Sequence, residues 1–352
     1  MSEPKRKRKM RGWVKLILIL GCVLATAVLG VIGYLGLTLQ RMRQPPLLLE
    51  MPEPTAVAER TPEPGVEDLD EVSDAAMIEK IESSKQEEKE EPLHDVDVYL
   101  IYGVDSRHGQ LDRSRSDVIM FFAVDWDTNA IRLVSMQRDI LIEIPGKELN
   151  RINASYAWGG LDLALLTMEH NFDITPDNVF VVNFQGTVEI IDALGGVEID
   201  VHESDIYEWT RWEGLKSPGR QILTGAQALA YMRNRRNGGD VRRTQRQRNV
   251  VTSLLNRRKT FSLPQILTVI NTIPNHFYTD MTEVEMVKFI TKMIKEEDME
   301  IEQLSIPIEG SFEYASYKGM AVVDMDFVTN REVLHNFIYW GEVKTVVEEA
   351  LE

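Results

Sequence analysis

The chain has 352 residues, 43% of them hydrophobic, and a formal net charge of −17. That is enough apolar material for one large domain or two small ones. So acidic a balance excludes nucleic acid as a general partner, because phosphate backbones are held by basic surfaces. A single cysteine, Cys22, excludes an intramolecular disulfide.

The N-terminus carries the export signal. Residues 5–11, KRKRKMR, are strongly basic, and Leu16 to Leu39 form an uncharged, mostly apolar run of 24 residues. A helix needs roughly 20 residues to cross the hydrocarbon core. The basic flank precedes the run, so the positive-inside rule predicts a single-pass signal anchor over 16–39 in the cell membrane. Residues 1–15 then form a cytoplasmic tail, and everything after the run lies outside the cell. The ATA at 25–27 resembles a signal-peptidase site, but the apolar run continues well beyond it, which a cleaved signal does not need.

Residues 44–95 are rich in Pro and Glu, with 16 acids against 4 bases. Such a segment cannot bury enough apolar surface to order itself, so the composition predicts a disordered acidic linker, with a short helix within 69–90 as the lesser alternative. From Val96 to the end the pattern is that of a folded domain. VDVYLIYGV (96–104), DVIMFFAVD (117–125) and IRLVSMQ (131–137) read as strands, the last two joined by the turn DTN (127–129). Residues 159–172 read as a helix, 178–184 as a strand, 186–196 as a helix ending on glycines and 197–201 as a strand. Residues 224–235 read as a helix capped by Thr224, and 240–259 as a longer one capped by Asp240. Two more helices, at 264–274 and 282–296, precede a strand at 301–307. Interleaved strands and helices define an α/β class with helices on both faces of a sheet.

Antiparallel pairing of the first two strands brings Asp105 and Asp117 to one edge. The third strand returns Arg138 there, so one rim collects Asp105, Arg107, Arg115, Asp117, Arg138 and Asp139. Two carboxylates facing one point are a hard-oxygen site suited to Mg²⁺, held together with waters and substrate phosphates. A second cluster lies in YMRNRRNGGDVRRTQRQR (231–248), with seven arginines, no lysine and one Asp. Asp240, Arg243 and Gln247 share a helix face, with Arg246 beside them, and a turn at Gly238-Gly239 folds Arg233 and Arg235 toward them. Arg242 and Arg248 point elsewhere on an ideal helix. Guanidinium forks capture phosphate oxygens in bidentate fashion, so the cluster predicts a diphosphate-binding wall; a solvated basic face is the competing explanation. Other chemistries find no support. The six histidines (His94, His108, His170, His202, His276, His335) have no metal-ligand spacing, and neither a Gly-x-Ser-x-Gly elbow nor a Walker or dinucleotide glycine pattern is present.

These pieces resemble the LytR–CpsA–Psr proteins, cell-wall glycopolymer ligases. The matching segments are GVDSR (103–107), RSD (115–117), QRD (137–139), RINASYAWGG (151–160), VVNFQGTVEIIDALGGVEIDV (181–201), LTGAQALAYMRNR (223–235) and DVRRTQRQ (240–247). The resemblance implies an α/β/α sandwich with a central mixed sheet and a hydrophobic pocket for a polyprenyl chain. It implies transfer of a polyprenyl-diphosphate-linked glycopolymer, of the wall teichoic acid or capsular polysaccharide class, to a peptidoglycan hydroxyl. By position, Asp105 and Asp117 take the Mg²⁺ role, with Mn²⁺ as a substitute. Arg115, Arg138, Arg233, Arg235, Arg243 and Gln247 hold the diphosphate, joined by Arg107, Arg151 and Arg246, and Asp240 orients the arginines or takes a proton. Helices from 163–172 and 263–273 are expected to line the lipid pocket. A lipid-diphosphate hydrolase and a non-catalytic membrane-anchored regulator remain as alternatives.

Overall fold

The structure, a computed structural model, describes residues 67–69, 73–83, 95–105, 111, 114–236, 239–272, 276–296 and 298–341, together with Leu37. The basic tail, the apolar run 16–39 apart from Leu37, and the residues Arg107 and Gly238 lie outside that set. No helix among the described residues is long and apolar enough to cross a membrane.

In chain order, β1 (Glu67–Asp68) and α1 (Asp74–Glu82) precede β2 (Val96–Val104), β3 (Ser116–Asp125) and β4 (Ala130–Met136). The short strands β5 (Leu141–Ile142) and β6 (Asn150–Arg151) lead into α2 (Ile152–Phe172). Next come β7 (Asn178–Asn183), α3 (Phe184–Ala193), β8 (Val197–Val201), α4 (Glu208–Trp212), β9 (Gly219–Leu223) and α5 (Gly225–Met232). The long α6 (Gly239–Arg257) is followed by α7 (Leu263–Thr272), β10 (Phe277–Thr279), α8 (Glu283–Lys295) and β11 (Glu300–Ile306). The hairpin β12 (Phe312–Tyr317) and β13 (Met320–Met325) and the helix α9 (Phe327–Trp340) complete the order.

Six strands form the central mixed sheet in the order β10-β7-β2-β3-β4-β11. The β2–β3 and β3–β4 pairs are antiparallel, as their sequences predict, while β7 and β11 add in parallel to β2 and β4. Asn129, with φ 55°, makes the turn between β3 and β4, a conformation that Asn tolerates better than most residues. The central strands are apolar on both faces, and their period-two alternation divides them between two cores. Leu100, Tyr102, Ile119 and Phe121 face α2 and α9. Tyr99, Met120, Phe122 and Leu133 face the side that α3, α6 and α8 cover. A smaller third core lies under the β8–β9 hairpin, around Ile199, Leu223 and Tyr231.

Three expectations need correction. Part of the presumed linker is folded: Ser73 caps α1, and Met77 and Ile81 are buried in the same core as α2. An apolar pair spaced i, i+4 suffices for one buried stripe, even in an acidic run. The charges around it find partners, Lys80 on Asp324 at 2.9 Å and Asp74 on the Tyr317 hydroxyl at 2.6 Å. The helix read over 159–172 begins at Ile152 and passes through a non-helical Gly160 (φ 67°). Asp240 is not an N-cap: α6 starts at Gly239, and the Asp240 carboxylate turns along the helix to Arg243.

Ile81 is 1% exposed. Ile81→Ala should lower unfolding free energy by about 2–4 kcal/mol in a denaturant titration, the usual cost of a cavity at a packed site. A loss below about 0.5 kcal/mol, the range for surface substitutions, would return α1 to the status of a tether.

Candidate active site

Strands β2, β4, β7 and β11 all end at one edge of the sheet, and β3 begins there. Open α/β sheets bind ligands outside the carboxyl ends of their strands. At this edge the β2–β3 register shifts: Gly103 opposes Val118, but Val104 opposes Ser116. Asp117 is the extra residue of a β-bulge, a device that re-aims a side chain next to a site. Its carboxylate accepts a hydrogen bond from Nη1 of Arg138, just beyond the end of β4.

From this pair a charge network spreads. Arg138 Nε lies 3.6 Å from Asp139 Oδ2 and 3.7 Å from Asp240 Oδ1. Arg151 Nη1, at the start of α2, reaches Asp139 Oδ1 at 3.4 Å, and Arg243 Nη2 donates to Asp240 Oδ2 at 2.8 Å. Burial alone would lower the Arg138 pKa; the carboxylates of Asp139, Asp117 and Asp240 outweigh it and leave the value raised. Arg243 is 2% exposed, and burial pushes its guanidinium down to about 10. Asp240 is raised above the usual carboxylate range, first by burial, against the pull of Arg243 and Arg138. Two oppositely charged neighbours are thus both shifted toward neutrality, so their mutual attraction does not repay desolvation. Arg243 Nε and Nη1 are buried without a hydrogen-bond partner, as are both amide atoms of Gln137. Buried donors without partners are rare and costly.

Arg243 opens onto a cavity of about 620 Å³. The sheet side of the cavity is lined by Ile101, Val118, Met120, Phe180 and Val182, one face of β2, β3 and β7. The opposite wall comes from α3, α5 and α6, through residues such as Ile190, Leu229 and Val251. Its polar lining includes Asp117, Arg233, Arg235, Arg243 and Gln247. Arg233 is stacked between two aromatic rings, 4.5 Å from the Phe184 centroid and 4.6 Å from that of Trp209. Such faces hold a cation without neutralising it. A Cβ on Gly103 would meet Val118 at 2.8 Å, so this cavity-lining position needs glycine to keep the bulge closed.

The predicted residues therefore separate. Asp117, Arg138, Asp240 and Arg243 meet at the rim with Arg151, and Arg233, Arg235, Arg243 and Gln247 line the cavity. Asp105 is half-buried directly after β2, and Arg115 is exposed at the start of β3. Arg107 lies outside the described residues. Arg246 turns away: its Nε donates to Asp205 at 2.7 Å and its Nη1 to the Asn234 carbonyl at 2.9 Å, in a buried ion pair under the β8–β9 hairpin. Arg248 turns away from the cavity as expected, but not to solvent. It is buried, donates to Ser135 Oγ at 2.7 Å, and burial lowers it to about 10. Arg242 is exposed, as helix geometry predicts. The lipid-pocket expectation is corrected for 163–172, whose Leu163 and Leu165 pack in the core on the opposite face of the sheet; among the described residues of 263–273 none lines the cavity. Sequence reasoning missed Phe184 and Trp209. It also missed the cavity's sheet face, although the i, i+2 pairs Ile101/Gly103, Val118/Met120 and Phe180/Val182 carry that signal.

A mixed sheet whose carboxyl edge carries arginines over an apolar cavity defines a binder of amphiphilic anions. A sequence model of the LytR_cpsA_psr family matches residues 69–332, and the chain belongs to that family. It is similar to the polyisoprenyl-teichoic acid–peptidoglycan teichoic acid transferase TagU of Bacillus subtilis (strain 168), 31% identical over 214 residues, 59% of this chain and 68% of that protein. The TagU of Bacillus anthracis is 35% identical over 216 residues, 60% of this chain and 69% of that one. The solved structure of TagT bound to LI-WTA aligns with a TM-score of 0.58 at 21% identity, over 72% of this chain and 94% of that chain. TagT with bound octaprenyl pyrophosphate lipid aligns with a TM-score of 0.55 at 20% identity, over the same shares. At these identities the structural likeness establishes the fold.

Two outcomes test this geometry. Arg246→Met leaves Asp205 buried and unpaired, so it should cost about 3–5 kcal/mol in chemical denaturation, whereas Arg242→Met should stay within about 0.5 kcal/mol. Equal effects would mean that Arg246 is not structural. Because Asp240 binds its proton more tightly when folded, its contribution to stability is fully present below the unfolded carboxylate pKa, near 3.8. That contribution is lost as pH rises through the raised native value. The stability of wild type relative to Asp240→Asn should therefore fall across that window and level off above it. A rise with pH would show that the ion pairs, not burial, dominate at Asp240.

Proposed function

We propose that this protein transfers an anionic glycopolymer from a polyprenyl diphosphate carrier to a hydroxyl of peptidoglycan, forming a phosphodiester and releasing polyprenyl phosphate. One observation carries the proposal: a nearly fully buried guanidinium, Arg243, with two unpaired nitrogens at an apolar cavity of about 620 Å³. A diphosphate on a long hydrocarbon chain fits both halves. The names of the similar transferases and the lipid held by TagT support this choice of substrate.

The chain's own residues supply positioning and charge neutralisation, which is most of what phosphoryl transfer asks of a protein. Arg243, Arg233 and Arg235 hold the diphosphate oxygens, and Arg138 neutralises charge from the sheet side. The acceptor oxygen attacks the phosphorus that bears the polymer. The bond from that phosphorus to the bridging oxygen breaks, and its electron pair leaves on polyprenyl phosphate. Asp240 takes the hydroxyl proton; its raised pKa makes it a stronger base than an ordinary carboxylate. Asp105 and Asp117 are two hard carboxylates at adjacent strand ends, a donor set that suits Mg²⁺ or Mn²⁺. The bound ion would supply further neutralisation of charge on the phosphates. The single-pass anchor over 16–39 would keep the domain at the outer face of the membrane, beside its lipid substrate.

The test is incubation of the full-length protein in detergent with a lipid-diphosphate glycan, Mg²⁺ and peptidoglycan oligomers, read by mass spectrometry. A polymer–peptidoglycan phosphodiester is expected. Release of free polymer phosphate alone would identify a hydrolase, and binding without turnover a regulator. In the same assay Arg243→Lys keeps a charge but loses the fork, and should lower kcat/KM by about one to two orders of magnitude, the worth of one charge-assisted bond. Arg242→Lys should change it less than about threefold, within the range of a surface substitution. Asp117→Asn should abolish metal-dependent turnover. Full activity in excess chelator would remove the metal from the proposal.

A further inference from the structure

Away from the rim, on the α2 side of the sheet, three side chains from three separate elements converge. His170 Nε2, in the last turn of α2, lies 2.9 Å from Glu143 Oε2, just after β5, and 3.4 Å from Glu82 Oε1, the last residue of α1. Ligand atoms of all three lie within 4.8 Å of one another, and they are the group of three or more His, Cys, Asp or Glu so arranged among the described residues. We propose that this triad is a second divalent-metal site, selective for a first-row transition ion such as Zn²⁺, which fastens α1 to the domain.

Four observations carry the proposal. The first is spacing. Two ligands at about 2.0–2.1 Å from a tetrahedral ion lie about 3.3–3.4 Å apart. The two His–Glu separations, 2.9 and 3.4 Å, bracket that value closely enough that small side-chain rotations would admit the ion. The second is ligand type. One imidazole with two carboxylates is a mixed N/O set, suited to Zn²⁺ rather than to the all-oxygen shell of Mg²⁺. With three protein ligands, the site leaves a coordination position open to water.

The third is rigidity. Asn171 Nδ2, fully buried, donates to the Glu143 carbonyl at 2.7 Å and so ties the Glu143 backbone to α2. The buried Arg331 of α9 donates through Nε to the Asn171 carbonyl and through Nη1 to the Ile81 carbonyl at 3.3 Å. One guanidinium therefore clamps the backbone beside Glu82 and the backbone beside His170 together. Ligands held on fixed backbones are what a preorganised site requires. The fourth is the local field. Helices α1 and α2 both end here, at Glu82 and Phe172. The negative ends of two helix dipoles and two carboxylates meet at one imidazole, an arrangement that favours a cation. Arg331 already attracts the Glu82 carboxylate and offsets part of this negative charge; a bound cation would offset more of it.

The consequence concerns α1. Its apolar contribution to the core is small: Met77 and Ile81 are buried and Ile78 is partly buried beside them. A metal held by Glu82 would add a cross-link between this short acidic helix and the domain, and would make its docking depend on metal supply. The proposal is independent of the transferase reading, because none of its residues belongs to the rim.

The test uses metal-free, full-length protein in detergent, titrated with Zn²⁺ against a chromophoric chelator. Amide hydrogen exchange over 74–82 is measured in parallel. One tight Zn²⁺ site is expected in wild type and in the double variant Asp105→Asn/Asp117→Asn. Its affinity should fall at least tenfold in His170→Gln and in Glu82→Gln, the latter at a side chain too exposed for its loss to unfold the domain. Zn²⁺ should slow exchange over 74–82 in wild type and leave it unchanged in Glu82→Gln. The proposal is overturned by unaltered Zn²⁺ affinity in both triad variants, or by loss of the site only in the Asp105/Asp117 double variant. Absence of Zn²⁺ binding, or exchange over 74–82 in wild type that Zn²⁺ leaves unchanged, also overturns it.

Discussion

A guanidinium 2% exposed, with one nitrogen paired and two without partners, is the constraint around which this molecule is arranged. Burying a charge is costly unless it is paired and hydrogen-bonded. At Arg243 the pairing is incomplete, and both Arg243 and Asp240 are displaced toward their neutral forms. A structure keeps such a cost where the missing partner arrives with a ligand. An anion at the unpaired nitrogens would raise the Arg243 pKa again, and the same negative charge would make the Asp240 carboxylate hold its proton more tightly. Under the proposed function, diphosphate binding at Arg243 and proton acceptance at Asp240 would be coupled through one ion pair.

The sheet supplies the rest. Alternation along β2, β3 and β7 sends one set of side chains into a filled core against α2 and α9. The other set, which includes Ile101, Val118 and Phe180, faces a core that is not filled completely. The vacancy on that side is the cavity, and it opens at the strand ends where the β-bulge turns Asp117 toward Arg138. The aromatic rings of Phe184 and Trp209 hold Arg233 beside the same opening without consuming its charge.

Much of this was legible in the sequence. The antiparallel β2–β3–β4 order follows from alternation and from the turn at Asp127-Thr128-Asn129, and it correctly brings Asp117 and Arg138 to one edge. Residue type alone could not tell which arginines of 231–248 serve the site. Arg243 and Arg246 are three positions apart on one helix, yet one faces the cavity and the other is spent on Asp205, a partner 41 positions away. Arg248 is likewise committed to Ser135 on β4. Pairings of that kind depend on tertiary approach, which helical periodicity does not encode. A helix within 69–90 was only the lesser reading of the acidic segment for a related reason. The segment's composition describes the whole run, whereas its docking depends on a few residues, Leu69, Met77 and Ile81 with Ile78 beside them, and on a hairpin and helix near the other end of the chain that were themselves not recognised.

The central claim is that Arg243 and the cavity below it recognise one amphiphile, the guanidinium its diphosphate and the cavity its chain. The most direct measurement is equilibrium binding of three ligands with the same polyprenyl chain, ending in diphosphate, monophosphate or hydroxyl, to wild type and to Arg243→Met. The account predicts that wild type binds the diphosphate most tightly and the alcohol least, and that Arg243→Met loses the preference while keeping its affinity for the alcohol. Equal binding of all three ligands by wild type, or a preference for diphosphate that survives in Arg243→Met, would contradict it.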